Sequence, residues 1–129
     1  MLDKVAIITG ATSGIGRASA VKFARKDYRV VAVGRNQTEL DLLRDEISSG
    51  CGVVKTEIAD LSDVLHIEKL VANVIDEFGR IDVLVNSAGI IAMGSVLDTT
   101  LENWDDMMNI NLRSVFYISN KCVPYLEET

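Results

Sequence analysis

The sequence has few of the residues that mark disulfide-rich, metal-binding or thiol-dependent proteins. Its 129 residues include one histidine, one proline and two cysteines. Cys51 and Cys122 lie far apart and form no CxxC pair, which argues against a disulfide framework or a metal site. Nothing resembles a Cys/His nucleophile pair. We therefore expect two packed thiols in a reducing compartment.

Long apolar runs and excess positive charge are also missing. No run approaches the roughly 20 apolar residues of a membrane span. The four apolar residues after Lys4 are too few for the core of a signal peptide. With 13 basic and 19 acidic residues the net charge is −6, which argues against broad contacts with nucleic acid or an anionic membrane. We expect a cytoplasmic protein that binds neither.

What the sequence does contain is a regular alternation of short β-branched runs and longer helical periods. Strands are predicted at residues 5–8, 30–33, 53–58 and 81–85. Helices are predicted from 14 to about 26, from about 38 to 48, and from an N-cap at Ser62 to Gly79. Repeated strand–helix–strand units require right-handed crossovers and a parallel sheet. The prediction is an α/β, Rossmann-type doubly wound fold.

Glycines cluster where the first strand passes into the first helix, in the segment TGATSGIG at residues 9–16. Gly10 permits the tight turn off the strand, Gly14 allows a pyrophosphate to approach the backbone, and Gly16 lets the helix pack close to the strand. The start of the helix supplies N–H groups and partial positive charge for phosphate. This segment predicts a dinucleotide-binding loop.

The end of the second strand indicates which dinucleotide. An acidic residue at this place would bind the adenosine ribose 2′-hydroxyl and select NAD, but the sequence reads Gly34-Arg35-Asn36. The guanidinium of Arg35 can pair with a 2′-phosphate, Gly34 leaves room for it, and Ser13 could donate a further hydrogen bond. We expect NADP(H) to be preferred over NAD(H).

Four motifs together resemble the short-chain dehydrogenase/reductase family. Residues 9–16 are similar to its TGxxxGIG signature, and residues 86–89, NSAG, are similar to its NNAG motif with Ser87 replacing the second Asn. Asp60 and Leu61 match the position that contacts the adenine ring. Residues 109–112, NINL, are similar to the stretch that carries the family's catalytic Asn, here Asn111. The resemblance covers the whole chain.

The resemblance implies a function and a set of site residues. It implies hydride transfer between a nicotinamide cofactor and a small carbonyl or alcohol substrate, with Asn111 organising a water of the proton relay, and a homo-oligomer for the complete protein. The whole span 1–129 would be the NAD(P)-binding Rossmann domain. The expected cofactor-binding residues are Gly10, Thr12, Ser13, Gly14, Ile15, Gly16, Arg35, Asn36, Asp60, Leu61, Asn86, Ala88 and Gly89.

One element of the family pattern is not matched. The family's catalytic YxxxK pair normally lies several tens of residues after the NAG-type motif, on a helix that follows a fifth strand with a serine. Tyr117 and Lys121 match the letters, but they lie six and ten residues after Asn111 in the same predicted helix. We interpret this match as chance. The chain would then carry strands 3-2-1-4 and lack the second half, and its exposed fourth strand predicts marginal stability or aggregation.

Two further expectations concern polar residues. Trp104, Met108, Val115, Ile118 and Cys122 fall on one helical stripe that includes Asn111, which predicts a buried amide that needs partners. His66 is expected at the surface or its boundary, without a catalytic role.

Two alternatives to an oxidoreductase remain open. The chain could be a dinucleotide-binding module without chemistry, acting as a sensor or interaction protein. A sugar-nucleotide epimerase is a weaker alternative, because its usual glycine spacing differs and the NSAG segment speaks against it.

Overall fold

A computed structural model describes residues 3–129. Four strands alternate with five helices in chain order. The strands are β1 (Val5–Ile8), β2 (Arg29–Gly34), β3 (Val53–Ile58) and β4 (Val83–Val85). The helices are α1 (Gly14–Arg25), α2 (Gln37–Ser49), α3 (Val64–Phe78), α4 (Leu101–Met108) and α5 (Ser114–Leu126), with a π-helical turn at Asn109–Arg113 between the last two.

The sheet has the predicted order β3-β2-β1-β4, and all three strand pairs are parallel. Ile8 lies beside Ala32 of β2 and Val85 of β4. The carboxyl ends of β1, β2 and β4 therefore meet at one edge, where ligands bind in this type of fold.

Helices cover both faces of the sheet, which makes the fold doubly wound as predicted. Val5 and Ile7 of β1 pack with α3 and α5 in one core cluster. Ile8, on the opposite face, packs with α1 and α2 in a second cluster. Side chains alternate between the two faces of a strand, so a strand buried on both sides needs an unbroken apolar sequence such as VAII.

Two local predictions about α3 and β4 were wrong. Ser62 does not cap α3; Asp63 does, and its carboxylate accepts a hydrogen bond from the Leu65 amide at 2.9 Å. The Ser62 hydroxyl instead donates to Asp60 at 2.7 Å. Ile81 is fully buried but lies outside β4, which begins at Val83.

The predicted apolar stripe on the last helix was wrong in its first half. Trp104, Met108 and Asn111 are exposed. The buried positions follow a different spacing, namely Ile110, Ser114, Ile118 and Cys122. The π-helical turn accounts for the difference, because i→i+5 bonding adds a residue to one turn and rotates the residues on either side relative to each other. Pro124 lies near the end of α5, as expected.

The cysteines behave differently from each other. Both are free thiols, and Cys122 is buried as predicted, whereas the prediction that Cys51 is packed was wrong because that residue is exposed. Burial raises the pKa of the Cys122 thiol to about 12, so this thiol stays protonated and unreactive at neutral pH.

The segment between β4 and α4 is a loop with exposed apolar side chains. Ile91, Met93, Val96 and Leu97 are 81–95% exposed. Among residues 3–129, no helix is long and apolar enough to span a bilayer.

Candidate functional site

A crevice of about 540 Å³ lies at the carboxyl edge of the sheet. Its walls come from the segments that follow all four strands. The lining residues are Gly10, Thr12, Ser13, Gly14, Ile15, Val33, Gly34, Arg35, Ala59, Leu61, Ser87, Ala88, Gly89, Ile90 and Ile110.

The glycine loop after β1 needs its glycines for two different reasons. Gly10 has a φ of +60°, and a Cβ there would lie 2.6 Å from the Ser87 carbonyl oxygen. A Cβ on Gly16 would overlap the Gly10 carbonyl oxygen. Side chains at these two positions would force the loop apart from α1 and from the segment after β4. The predicted turn at Gly10 and close packing at Gly16 are both confirmed.

Gly14 differs because its surroundings are open. Its φ is +55°, and a Cβ would meet no protein atom within 4 Å. Since Gly14 lines the crevice, the space beside its backbone is available to a ligand.

Helix α1 starts without a side-chain cap, whereas α2, α3 and α4 each have one. Ser13 makes no side-chain hydrogen bond to the first turn. Asn36, Asp63 and Thr100 each accept a hydrogen bond from the first turn of α2, α3 and α4, at 3.1, 2.9 and 3.1 Å. The first-turn amides of a helix have no partner within the helix. At α1 these amides lie at the crevice, where they and the helix dipole favour an anion.

Thr9, at the end of β1, fixes the opposite wall. Its buried hydroxyl accepts hydrogen bonds from the Ser87 amide at 3.1 Å and the Ala88 amide at 3.2 Å. The hydroxyl also donates to the Val85 carbonyl at 3.3 Å. These contacts hold the NSAG segment against the glycine loop, so the two walls keep a fixed separation.

The ends of β2 and β3 form the remaining side. Arg35 is exposed and lines the crevice, whereas Asn36 points its side chain into α2 as the cap. Asp60 lies behind Leu61, which lines the crevice. Hydrogen bonds from the Ser62 hydroxyl and amide, with a smaller contribution from the charge of Arg35, hold the pKa of Asp60 below its usual range. Asp60 is therefore an anion at neutral pH, and its carboxylate supports the turn.

Asn111 connects the π-helical turn to the segment after β4. Its amide oxygen accepts from the Ile90 N–H at 2.8 Å, and its amide nitrogen donates to the Ile90 carbonyl at 2.7 Å. The expectation that Asn111 is buried was wrong, but the expectation that its amide is hydrogen-bonded is confirmed. Nearby, the Asn86 amide donates to the Ser119 hydroxyl of α5 at 3.3 Å.

The model of the short chain dehydrogenase family matches residues 4–129. The chain belongs to this family. It is 38% identical over 123 residues to a 3-oxoacyl-(acyl-carrier-protein) reductase of Thermotoga maritima, covering 95% of the chain and 50% of that protein. It is 36% identical over 135 residues to a sepiapterin reductase of Chlorobaculum tepidum, covering 98% of the chain and 54% of that protein.

Solved structures of family members have the same fold. One is a metagenomic short-chain oxidoreductase in complex with NADP, at 31% identity and a TM-score of 0.94, with 98% of this chain and 57% of that chain covered. Another is a variant of actinorhodin polyketide ketoreductase with NADPH, at 33% identity and a TM-score of 0.90, with 94% and 46% covered. The chain spans about half the length of the curated relatives it matches.

The family's tyrosine chemistry does not map onto Tyr117. Its hydroxyl donates a hydrogen bond to Glu68 on α3 and does not line the crevice. This bond raises the Tyr117 pKa above its usual value, although the charge of Lys121 opposes the change. A tyrosine acid/base needs a pKa lowered towards neutrality. The position and electrostatics of Tyr117 agree with the interpretation of the YxxxK letters as a chance match.

The structure brings most of the predicted cofactor-binding residues together. Nine of the thirteen line the crevice, namely Gly10, Thr12, Ser13, Gly14, Ile15, Arg35, Leu61, Ala88 and Gly89. The other four, Gly16, Asn36, Asp60 and Asn86, are not among the lining residues. Sequence reasoning assigned no role to Thr9 or Ile110. Of these two residues, only Thr9 could have been identified from the sequence, because a polar residue at the end of a buried strand needs hydrogen-bond partners.

Proposed function

We propose that the crevice binds NADP(H), and that this chain forms the dinucleotide-binding part of a short-chain oxidoreductase acting on a small carbonyl or alcohol. The observation that carries the proposal is the uncapped start of α1. Amides without an intrahelical partner, beside an open Gly14 and facing a cavity of about 540 Å³, suit a pyrophosphate. At the starts of α2, α3 and α4, the N-cap side chain already occupies one of these amides.

Each part of the dinucleotide would face a different wall of the crevice. The pyrophosphate would lie on the amides of Gly14, Ile15 and Gly16. The Ser13 hydroxyl, which does not cap α1, would be free to donate to the 2′-phosphate. The adenine would lie against Leu61. Ala88 and Gly89 would border the nicotinamide half, since they follow β4 on the other side of β1.

Arg35 would select NADP(H) over NAD(H). It lies at the end of β2, where an acidic residue would favour the 2′-hydroxyl of NAD. Its guanidinium is exposed at the crevice and can form a bidentate pair with a 2′-phosphate. Gly34 lets the end of β2 pack closely against the glycine loop beside Arg35, because a Cβ at that position would lie 2.5 Å from the Thr12 methyl group.

The chemistry would take place beyond Gly89. When bound, the nicotinamide would supply or accept a hydride at the substrate carbon. Asn111 holds the Ile90 backbone through two hydrogen bonds, so its side chain would keep the segment that borders the substrate at a fixed distance from α5. The relatives' names include a 3-oxoacyl reductase and a sepiapterin reductase, and we therefore propose carbonyl reduction without naming a substrate. We also propose a cytoplasmic location and a homo-oligomer for the complete protein.

Calorimetric titration with NADPH and NADH tests cofactor binding and preference. We expect NADPH to bind more tightly, and Arg35→Gln to weaken NADPH binding by about 10-fold to 100-fold, because a charged hydrogen-bonded pair is lost. The same change should leave NADH binding within about twofold. Arg25→Gln, an exposed arginine in the last turn of α1, is the matched control and should change neither. Absence of binding to either dinucleotide would contradict the proposal.

A dinucleotide-binding module without chemistry is the second candidate, favoured by the engagement of Tyr117 with Glu68. A carbonyl panel with NADPH absorbance as the readout tests whether Tyr117 has a catalytic role in this chain. We expect this chain to bind NADPH without turnover, and Tyr117→Phe to leave binding unchanged. Turnover that Tyr117→Phe abolishes would show that the YxxxK letters are functional here.

A further inference from the structure

His66 makes a contact that the proposed function does not use. Its Nδ1 accepts a hydrogen bond from the Asp60 backbone N–H at 2.9 Å. Asp60 immediately precedes Leu61, which lines the crevice and is the residue proposed above to lie against the adenine. The imidazole therefore holds the backbone of the turn that presents Leu61.

The other hydrogen bonds of this turn are made by Asp60. The Asp60 carboxylate accepts hydrogen bonds from the Ser62 amide at 3.0 Å and from the Ser62 hydroxyl at 2.7 Å. The Asp60 carbonyl accepts from the Asp63 amide at 3.0 Å. Three groups of Asp60 are thus fixed, and the N–H is the one fixed by an imidazole.

The contact requires a neutral imidazole. A backbone N–H can donate only to a ring nitrogen that carries a lone pair, and both nitrogens of a protonated imidazole are donors. Protonation would place two N–H groups against each other and break the bond. Histidine ordinarily takes up a proton near pH 6.5.

Charged groups surround the ring on several sides. Asp63, on the same side of α3, places a carboxylate oxygen 3.7 Å from Nε2. Glu57 from β3 and Lys69 from α3 line the same groove as His66, and the Asp60 carboxylate lies in the turn itself. A proton on Nε2 facing Asp63 leaves Nδ1 unprotonated, which is the tautomer that the contact with Asp60 needs.

We propose that His66 is a positioning residue for the adenine side of the crevice, and that its protonation weakens dinucleotide binding. This inference rests on the proposed function. The affinity is highest when the imidazole is neutral and falls when it is protonated.

Two substitutions distinguish the loss of the hydrogen-bond acceptor at position 66 from the effect of its protonation. His66→Asn places an amide oxygen at the same δ position, where it can accept from the Asp60 N–H at every pH. His66→Ala removes the acceptor. Thermal melts of both variants establish that they are folded before binding is compared.

The experiment measures the Kd of NADP+ at pH 7.5 and at pH 5.5 for the full chain and the two variants. The 2′-phosphate also titrates in this range, but its contribution is common to all three proteins and cancels in the comparison. We expect the original chain to lose about threefold to tenfold more affinity than His66→Asn between the two pH values, as befits one hydrogen bond. His66→Ala should bind weakly at both.

A matching pH dependence in the original chain and His66→Asn would overturn the inference. A second measurement keeps it testable even if NADP+ does not bind, which would count against the proposed function instead. The sequence contains a single histidine, so its C2 proton gives one unambiguous NMR titration curve. The Asp60 amide resonance should follow the same midpoint, and an Asp60 amide that ignores this titration would also overturn the inference.

Discussion

Two regions on either side of the crevice lining, strand β1 and the segment after β4, carry similar apolar residues but differ completely in burial. All four residues of β1 are fully buried, and α1 to α3 cover the sheet around them. The segment after β4 carries Ile91, Met93, Val96 and Leu97 at 81–95% exposure. The walls proposed for the adenine and the pyrophosphate thus belong to a region that packs against itself. The segment that would border the substrate does not. It is held to the π-helical turn by the two hydrogen bonds between Asn111 and Ile90, and to α4 by a hydrogen bond from the Ala92 amide to the Met107 sulfur.

The largest expected effect comes from truncating a leucine on each side of this comparison. Leu40 of α2 is fully buried, and Leu97 is 95% exposed. We expect Leu40→Ala to lower the free energy of unfolding by about 2–5 kcal/mol because it leaves a cavity. Leu97→Ala should change it by less than about 0.5 kcal/mol. Urea unfolding followed by circular dichroism measures both. A comparable loss from Leu97→Ala would mean that the exposed segment is packed in solution, for example by self-association.

Substitutions at two glycines test whether close packing or a positive φ determines the position of the glycine loop. Gly16→Ala should destabilise the fold by about 1–3 kcal/mol, because its methyl group would overlap the Gly10 carbonyl. It should also weaken NADPH binding by displacing the loop. Gly79, the left-handed C-cap of α3 with open space around it, is the control. Gly79→Ala should cost about 1 kcal/mol through its positive φ and leave binding unchanged, and equal effects on binding would contradict this account of the loop.

Much of the compact region was predictable from sequence, and the reasons are local. Buried parallel strands need unbroken apolar runs, such as VAII in β1, and the glycine spacing marks the turn that follows. The start of β4 and the cap of α3 were missed because Asp82 and Asp63 decide them through side-chain contacts. The π-helical turn was missed because a shift to i→i+5 bonding leaves no periodic signal in so short a segment.

The candidate site was predictable in outline for the same reason. The residues that line the crevice follow strand ends, whose order the sequence pattern implies. Their supports were not predictable, because they depend on contacts between distant parts of the chain. The Thr9 hydroxyl meets the Ser87 amide 78 residues later, and Asn111 meets Ile90 across 21 residues.

Substitution of Asp82 tests how β4 is attached to β1. The expected loss in the free energy of unfolding is smaller than for the two preceding predictions. Its carboxylate accepts from the Val5 amide at 2.8 Å and from two nitrogens of Arg80 at 2.9 and 2.6 Å. The Arg80 hydrogen bonds hold the pKa of Asp82 below its usual range. Asp82→Asn should cost about 1–2 kcal/mol at pH 7. Asp76→Asn, at an exposed position of α3, should change the free energy of unfolding by less than about 0.5 kcal/mol.

The pH dependence of the Asp82 contribution has a definite sign. A lowered pKa in the folded state means that the stabilisation is fully present above the unfolded value, about 3.9, and is lost as the pH falls through the folded value. The original chain should therefore lose more stability than Asp82→Asn when urea unfolding is repeated below about pH 4. Parallel acid profiles would show that Asp82 is not held as described.

The most direct test of the central claim is a map of backbone amide chemical shifts while NADPH is added to the chain. The uncapped start of α1 should respond first and most, at the amides of Gly14, Ile15 and Gly16, together with Arg35. The start of α4, which Thr100 caps, should not respond. Saturable binding with its shifts confined to the α1 start and the ends of the strands is the predicted result. Binding that leaves the three α1 amides unchanged, or no binding, would contradict the account.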